Sequence, residues 1–174
     1  MNESVSKLSR VMDSALEQGC TYLESEFDLH TSCLPPQHGE IDTLLLRELT
    51  AIVGIGGAID LYVAFSFEET LIQALYERMT EGMAIGPEEE EELKQATAGE
   101  IVNIIVGHCT TDLQNMDSQA IPITPPTVLN LMKIVPRLKN AIFHLRSVST
   151  SCGTMNVYLI GPRELFSNSL DYIA

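Results

Sequence analysis

In the stretch QATAGEIVNIIVGHC, residues 95–109, a carboxylate and a carboxamide stand three positions apart, Glu100 and Asn103, inside a largely apolar run. Residues three apart on a helix project from nearly the same face, so one partner can touch both groups together. The pair cannot make a metal centre alone, but its members do complementary chemistry. A carboxylate pairs with a cation. A carboxamide both donates and accepts hydrogen bonds and is not lost to protonation at neutral pH, so it can fix a water molecule in two directions. Around this helix Ile101, Ile104, Ile105 and His108 make one stripe, expected to face a sheet, while Ala96, Glu100, Asn103 and Gly107 lie opposite it and face outward. A glycine in a helix interior costs about 1 kcal/mol against alanine, so Gly107 points to a close approach to the backbone there.

The elements that must position this face can be read from periodicity. Val5, Leu8, Val11, Ala15 and Tyr22 recur at helical spacing, which predicts an amphipathic helix from about Ser4 to Glu24. CLPPQHGEIDT, residues 33–43, has the composition of a loop. LTAIVGIGGAIDLYVAFSF then gives two β-rich runs broken at Gly56-Gly57, a hairpin signal. Ser66 with Glu69 three residues later has the form of a capping box for the helix FEETLIQALYERMTEG, and Gly82 suits its stop. Pro87 and five glutamates open the next helix, where acidic groups favour the exposed amide hydrogens, and it is expected to reach Gln114 or Met116. AIPITPPTVLNLMKIV reads as extended and punctuated by prolines. NAIFHLRSVST and GTMNVYLIG form a second hairpin around residues 151–153, and a short helix over 162–170 is expected to close the chain.

GAIDLYVAFSFEE from Gly57 resembles GTMNVYLIGPREL from Gly153, matching Tyr62 to Tyr158 and Glu68 to Glu164, and a long helix precedes each hairpin at some distance. The expected fold class is therefore α+β, a pseudo-symmetric repeat with long helices packed on an antiparallel β-sheet. The chain of 174 residues is read as one domain over 1–174, and its 45% hydrophobic content is enough for a core. A formal charge of -14 with only ten Lys and Arg argues against nucleic acid and anionic membrane surfaces as partners. The N-terminus lacks the apolar core of a signal peptide, and a cytoplasmic location is expected. Cys20, Cys33, Cys109 and Cys152 have no metal-knuckle or redox spacing and are read as reduced and mostly packed. His30, His38, His108 and His144 stand isolated in sequence and read as ordinary structural or surface histidines, and the acidic run reads as a solvated helix start rather than a metal cluster.

The run GEIVNIIVG, with Pro126 twenty-three residues after Asn103, resembles the signature of the CheX/CheC/FliY family of chemotaxis phosphatases. In that family an Asp or Ser, a Glu and an Asn are spaced [DS]-x-x-x-E-x-x-N, with a proline beyond. The likeness is closest to the single-site CheX branch and implies a CheC/CheX-like α/β sandwich. Glu100, Asn103 and Pro126 carry over directly, whereas Ala96 stands where the family has Asp or Ser, and neighbouring Glu92 and Gln95 occupy other positions. A degenerate copy lies in the first helix, where Asp13 and Glu17 keep the spacing but Cys20 replaces the Asn.

The resemblance implies hydrolysis of the phosphoaspartate of a CheY-like response regulator. That partner brings the phosphoryl group, the Mg2+ and a lysine; no cofactor is expected on this chain. Asn103 would then position the attacking water and Glu100 would pair with the regulator's lysine. Ala96, Gly99, Gly107 and Pro126 would meet the partner. Members of the CheX branch pair through sheet edges, so a homodimer is expected, with the edge supplied by the strand-rich C-terminal half. Two rivals stand beside this reading. A non-catalytic adaptor that docks on a regulator or at the flagellar switch would keep the same face, and Ala96 favours it. A structural or ligand-binding module unrelated to phosphorylation would bury Asn103.

Overall fold

Apolar residues alternating with small or polar ones in LTAIVGI and LYVAFSF make two strands that can bury one face under helices and the other under loops. The computed structural model describes residues 3–40, 44, 46–56, 61–117, 122–130 and 140–162, with the backbone alone for 3–9 and 115–117. In chain order these are α1 (Glu3–Phe27), β1 (Ser32–Cys33), β2 (Gln37–Glu40), β3 (Leu49–Ile55), β4 (Leu61–Phe67), α2 (Glu69–Met79), α3 (Glu90–Asp117), β5 (Thr127–Asn130), β6 (Ala141–Thr150) and β7 (Gly153–Pro162). The strands form one seven-stranded antiparallel sheet in the order β1-β6-β7-β4-β3-β5, with β2 also paired to β6.

The helices lie on one face of the sheet. Phe65, Phe67, Val157 and Leu159 meet Met12, Leu16 and Leu23 of α1, Leu71 and Leu75 of α2, and the apolar face of α3 in one core. A smaller core on the other face joins Ala64, Leu145, Tyr158 and Ile160 to Leu44 and Leu46 of the segment before β3. Two buried polar pairs lie in the sheet: Ser147 donates to Asn156 at 2.8 Å, and Thr50 to Ser66 at 2.9 Å. No helix is long and apolar enough to cross a membrane among the described residues.

The pairing of β4 with β7 carries the repeat. Val63 opposes Leu159, Tyr62 opposes Ile160 and Ala64 opposes Tyr158. Superposing Tyr62 on Tyr158, as the sequence likeness requires, maps this register onto itself, so a pseudo-twofold axis passes through the Val63–Leu159 pair. The outer strands follow the same symmetry. β3 flanks β4 as β6 flanks β7, and a Pro-Pro dipeptide comes directly before both β2 and β5.

Four expectations need correction. The CLPPQHGEIDT segment is not simply a loop, because Ser32–Cys33 and Gln37–Glu40 pair with β6; these edge strands are exposed and lack the alternation that marks a half-buried strand. Ser66 caps no helix. It lies buried in β4, where its hydroxyl accepts the Arg47 amide at 2.7 Å, and the N-cap of α2 is Glu68, whose side chain makes no capping bond. His108 is exposed and Ile104 only half-buried; the stripe of α3 facing the sheet is instead Ala98, Ile101, Val102, Ile105, Val106, Cys109 and Leu113. In the C-terminal half β6 and β7 have strands on both sides, which leaves β5 as its described edge. The helix expected over 162–170 lies outside the described residues.

Gly107 and Gly99 separate two reasons for a glycine in a helix. A methyl added at Gly107 meets no heavy atom within 4 Å, whereas at Gly99 it stands 3.3 Å from Val128 Cγ2 on β5. Among the described residues nothing fills the space a Gly107 side chain would take. Gly107→Ala is expected to stabilise the fold by about 0.5–1 kcal/mol, while Gly99→Ala gains less or loses stability because Val128 must give way. Urea unfolding of both variants checks that order, and a Gly107→Ala protein no more stable than its parent would contradict it.

Candidate functional site

With the apolar stripe of α3 turned to the sheet, helical geometry leaves Ala96, Glu100 and Asn103 exposed on the opposite side. They line an open groove of about 470 Å³ together with Glu92, Gln95 and Gly99 from the same helix and Pro125, Pro126 and Val128 from across it. Glu92, Ala96, Glu100 and Asn103 follow one another at four- and three-residue steps along one line of the helix. Of the positions singled out from sequence, Ala96, Gly99, Glu100, Asn103 and Pro126 come together here. Gly107, a further turn along, is half-buried and does not line the groove. Its carbonyl instead accepts both the Thr110 and the Thr111 hydroxyls, each at 2.9 Å.

The far wall is held by β3. Gly56 donates its amide to the Pro122 carbonyl at 3.0 Å, and Thr124 donates its own to the Gly54 carbonyl at 2.9 Å. The Thr124 hydroxyl in turn accepts the Gly54 amide at 2.9 Å. A side chain on Gly54 would stand 3.2 Å from the Thr124 methyl, so a glycine at that point lets the segment lie close. Thr124 thereby sets the two prolines beside α3. At the other end the Asn130 amide donates to the Glu91 carboxylate, tying the end of β5 to the first turn of α3.

The acidic start of α3 is divided among tasks. Glu89 accepts the Gly86 amide at 3.0 Å, and Glu91 is engaged by Asn130, whereas Glu92 lines the groove. Lys94 is turned away from the groove toward α2 and donates to Glu69 at 3.0 Å. Burial opposes its charge, but the Glu69 hydrogen bond and the nearby Glu69, Glu91 and Glu90 carboxylates prevail and hold its pKa above the ordinary lysine value. Among the described residues no Lys, Arg or His lines the groove. Among the described residues no group of three or more His, Cys, Asp and Glu can hold a metal ion.

Three features of this neighbourhood escaped the sequence. Glu92 and Gln95 share the groove with Glu100 although they fall outside the motif. Tyr22 of α1 reaches the same quarter: burial first, then the Glu26 and Glu100 carboxylates, push its phenol pKa up. Its ring also meets Phe27 edge-on at 5.7 Å between centroids. Helical spacing marks Tyr22 as one of the apolar positions of α1, but nothing in it says which part of α3 lies alongside. The third is the hold of Gly54 on Thr124, which depends on a pairing between segments seventy residues apart.

The degenerate copy in α1 takes a different form. Asp13 and Glu17 line a second groove with Arg10, Ser14, Gln18, Asp112 and Leu113, where Gln18 donates to Asp112 at 2.6 Å. Cys20, at the place of the Asn, is half-buried against the core instead. All four cysteines are free, but Cys33 is exposed rather than packed. His38 and His144, isolated in sequence, are brought opposite one another by the pairing of β2 with β6, with ring centroids 6.4 Å apart.

Among the curated proteins none is similar enough to match. Solved structures share the fold at low identity. CheX from Desulfovibrio desulfuricans superposes with a TM-score of 0.71 at 15% identity, over 86% of this chain and 97% of that one. A chain of the CheX–CheY–BeF3–Mg2+ complex from Borrelia burgdorferi gives 0.66 at 21% identity, again over 86% and 97%. FliY from Thermotoga maritima gives 0.62 at 16% identity, over 95% and 92%. The family model described as chemotaxis phosphatase CheX matches residues 49–143, just over half of the chain and including α3 with its groove, and the protein therefore belongs to the CheX family.

Proposed function

We propose that the protein is a phosphatase that hydrolyses the phosphoaspartate of a CheY-like response regulator at the α3 groove. The observation that carries this reading is that Glu100 and Asn103 stand exposed, side by side, along a groove bounded by Pro126, in a chain whose family is described as a chemotaxis phosphatase. The similarity to a chain from a complex of CheX with CheY supports the choice of partner, and the Mg2+ named in that complex supports assigning the metal to the regulator's side. The 1–174 chain acts in this reading as one domain.

In the docked state the Asn103 carboxamide accepts a hydrogen bond from a water and orients its oxygen in line with the phosphorus. The water oxygen forms a bond to phosphorus as the bond to the aspartate oxygen breaks. The regulator's carboxylate leaves, inorganic phosphate departs, and a proton of the water passes to solvent. This reaction asks for positioning and charge neutralisation more than covalent work. In this reading neutralisation falls to the Mg2+ and the lysine of the regulator, since no cation is among the described residues of the groove. Glu100 pairs with that lysine and sets the register in which Asn103 enters.

A docking-only role is the second reading, and Ala96 in place of an Asp or Ser is what favours it. Structural roles that bury Asn103 are set aside by its exposure. We further propose that the protein works as a homodimer joined through a sheet edge, of which β5 and the β1 and β2 side are the described ones.

Asn103→Ala is expected to keep nearly normal affinity for the phosphorylated regulator and to lose on the order of 100-fold or more in phosphate release. Glu100→Lys should weaken association itself, with an altered salt dependence. Titration against a regulator held with a phosphoryl mimic, beside single-turnover phosphate release, measures both; hydrolysis by Asn103→Ala at the parent rate would leave the docking-only reading. Ala96→Asp, on an exposed position, should raise the rate or leave it unchanged, and a large loss in a folded variant would mean the partner sits differently. Sedimentation equilibrium at micromolar concentration should give a dimer, whereas a lone 19.2 kDa species would refute it.

A further inference from the structure

We propose that Cys20 and Cys33 form a two-thiol site that reacts with low-molecular-weight disulfides and closes into an intramolecular disulfide.

Backbone geometry brings the two thiols together. Cys33 on β1 opposes Val148 on β6, and Val148 opposes Met155 on β7. Directly opposed residues of antiparallel strands project to the same face. Val148 and Met155 are buried in the helix-side core, so Cys33 points to the side on which α1 lies. At that row α1 is close, since a methyl on Gly19 would stand 3.1 Å from the end of the Met155 side chain. Cys20, the next residue, packs against the same core, and Thr31 and Cys33 lie near enough to bear on its thiol. The connection between them is tied back on the helix. Leu29 donates its amide to the Leu23 carbonyl at 3.2 Å. Thr31 donates its amide and hydroxyl to Glu24 at 3.3 and 2.5 Å. Asp28 turns the chain with a φ of 52°.

Exposure decides the order of events. Cys33 is exposed at the sheet edge, while Cys20 is half-buried and its thiol pKa is raised, by burial first, with Thr31 opposing and Cys33 and Glu24 adding to it. The Cys33 thiolate attacks one sulfur of the disulfide RSSR, the S–S bond breaks, and RS⁻ leaves to take up a proton. Cys20 then attacks the Cys33 sulfur of the mixed disulfide and expels the second thiol. Two protein thiols are oxidised and RSSR is reduced to two RSH, so electrons and protons balance. Closure pins to the sheet edge the turn of α1 that carries Tyr22, the residue whose phenol feels Glu100. Cys109, buried between α1 and α3, takes no part.

The test treats the full chain with glutathione disulfide, then digests it without reduction for mass spectrometry. The expected product is a Cys20–Cys33 linked peptide pair lacking two hydrogens, with Cys109 still a thiol. Cys33→Ser should leave Cys20 free, and Cys20→Ser should accumulate the mixed disulfide on Cys33. A mixed disulfide on Cys33 that persists in the parent as it does in Cys20→Ser, a link from Cys33 to Cys152, or no reaction at either thiol would overturn the proposal.

Discussion

The burial of one stripe of α3 fixes what the rest of the molecule can present. Ala98, Ile101, Val102, Ile105, Val106 and Leu113 are each no more than 5% exposed against the sheet. Burying a large aliphatic side chain contributes about 1.5–3 kcal/mol, so turning the helix by one residue, about 100°, would exchange several such contacts for Glu100 or Asn103 in the core. The helix has one rotational setting. Once it is adopted, the outward line of Glu92, Ala96, Glu100 and Asn103 is determined without any interaction among those residues. The far wall of the groove is set by separate means, through the hold of Gly54 on Thr124 and of Glu91 on Asn130.

The twofold relation explains why there are two grooves and why they differ. The axis through Val63 and Leu159 relates the α1 half to the α3 half, and both halves place Pro-Pro directly before an outer strand. In the α3 half the segment before those prolines runs along β3 and sets them beside Asn103. In the α1 half the prolines lie between β1 and β2, both paired to β6, and the residue in the place of Asn103 is Cys20, packed against the core. One half has kept an open polar face; in the other the same position has become part of a thiol pair. This is what separate drift of two copies produces when the core they share restrains only the buried stripes.

Periodicity, with the proline and acidic start of α3, was enough to read the long helices, both hairpins and the outward position of Glu100 and Asn103. Features whose energy comes from distant pairing were not legible. β1 and β2 are exposed edge strands, and the bonds that make them strands belong to β6. Ser66 has the spacing of a helix cap, but burial in β4 gives its hydroxyl to Arg47 and Thr50. The stripe of α3 was misjudged at His108 because 100° steps define a wheel without saying which sector faces the sheet; Val102 and Val106, on the other flank, settle the sector once the sheet is in place. Pro126 was found only through the family resemblance, since no local rule links a proline to an asparagine twenty-three residues earlier.

The charge of the groove bears on how such a site avoids reacting with the wrong phosphate. Its described lining has two carboxylates, Glu92 and Glu100, and no cation, and the chain around it has a net charge of -14. A free phosphate ester meets like charge from these residues, so it gains little by entering. On the proposed function the cations arrive with the regulator, and the same carboxylates that repel a small anion attract a surface carrying a lysine. The water-positioning residue and the charge-neutralising groups are then divided between two proteins. On that proposal specificity rests on docking rather than on a pocket shaped to the phosphoryl group.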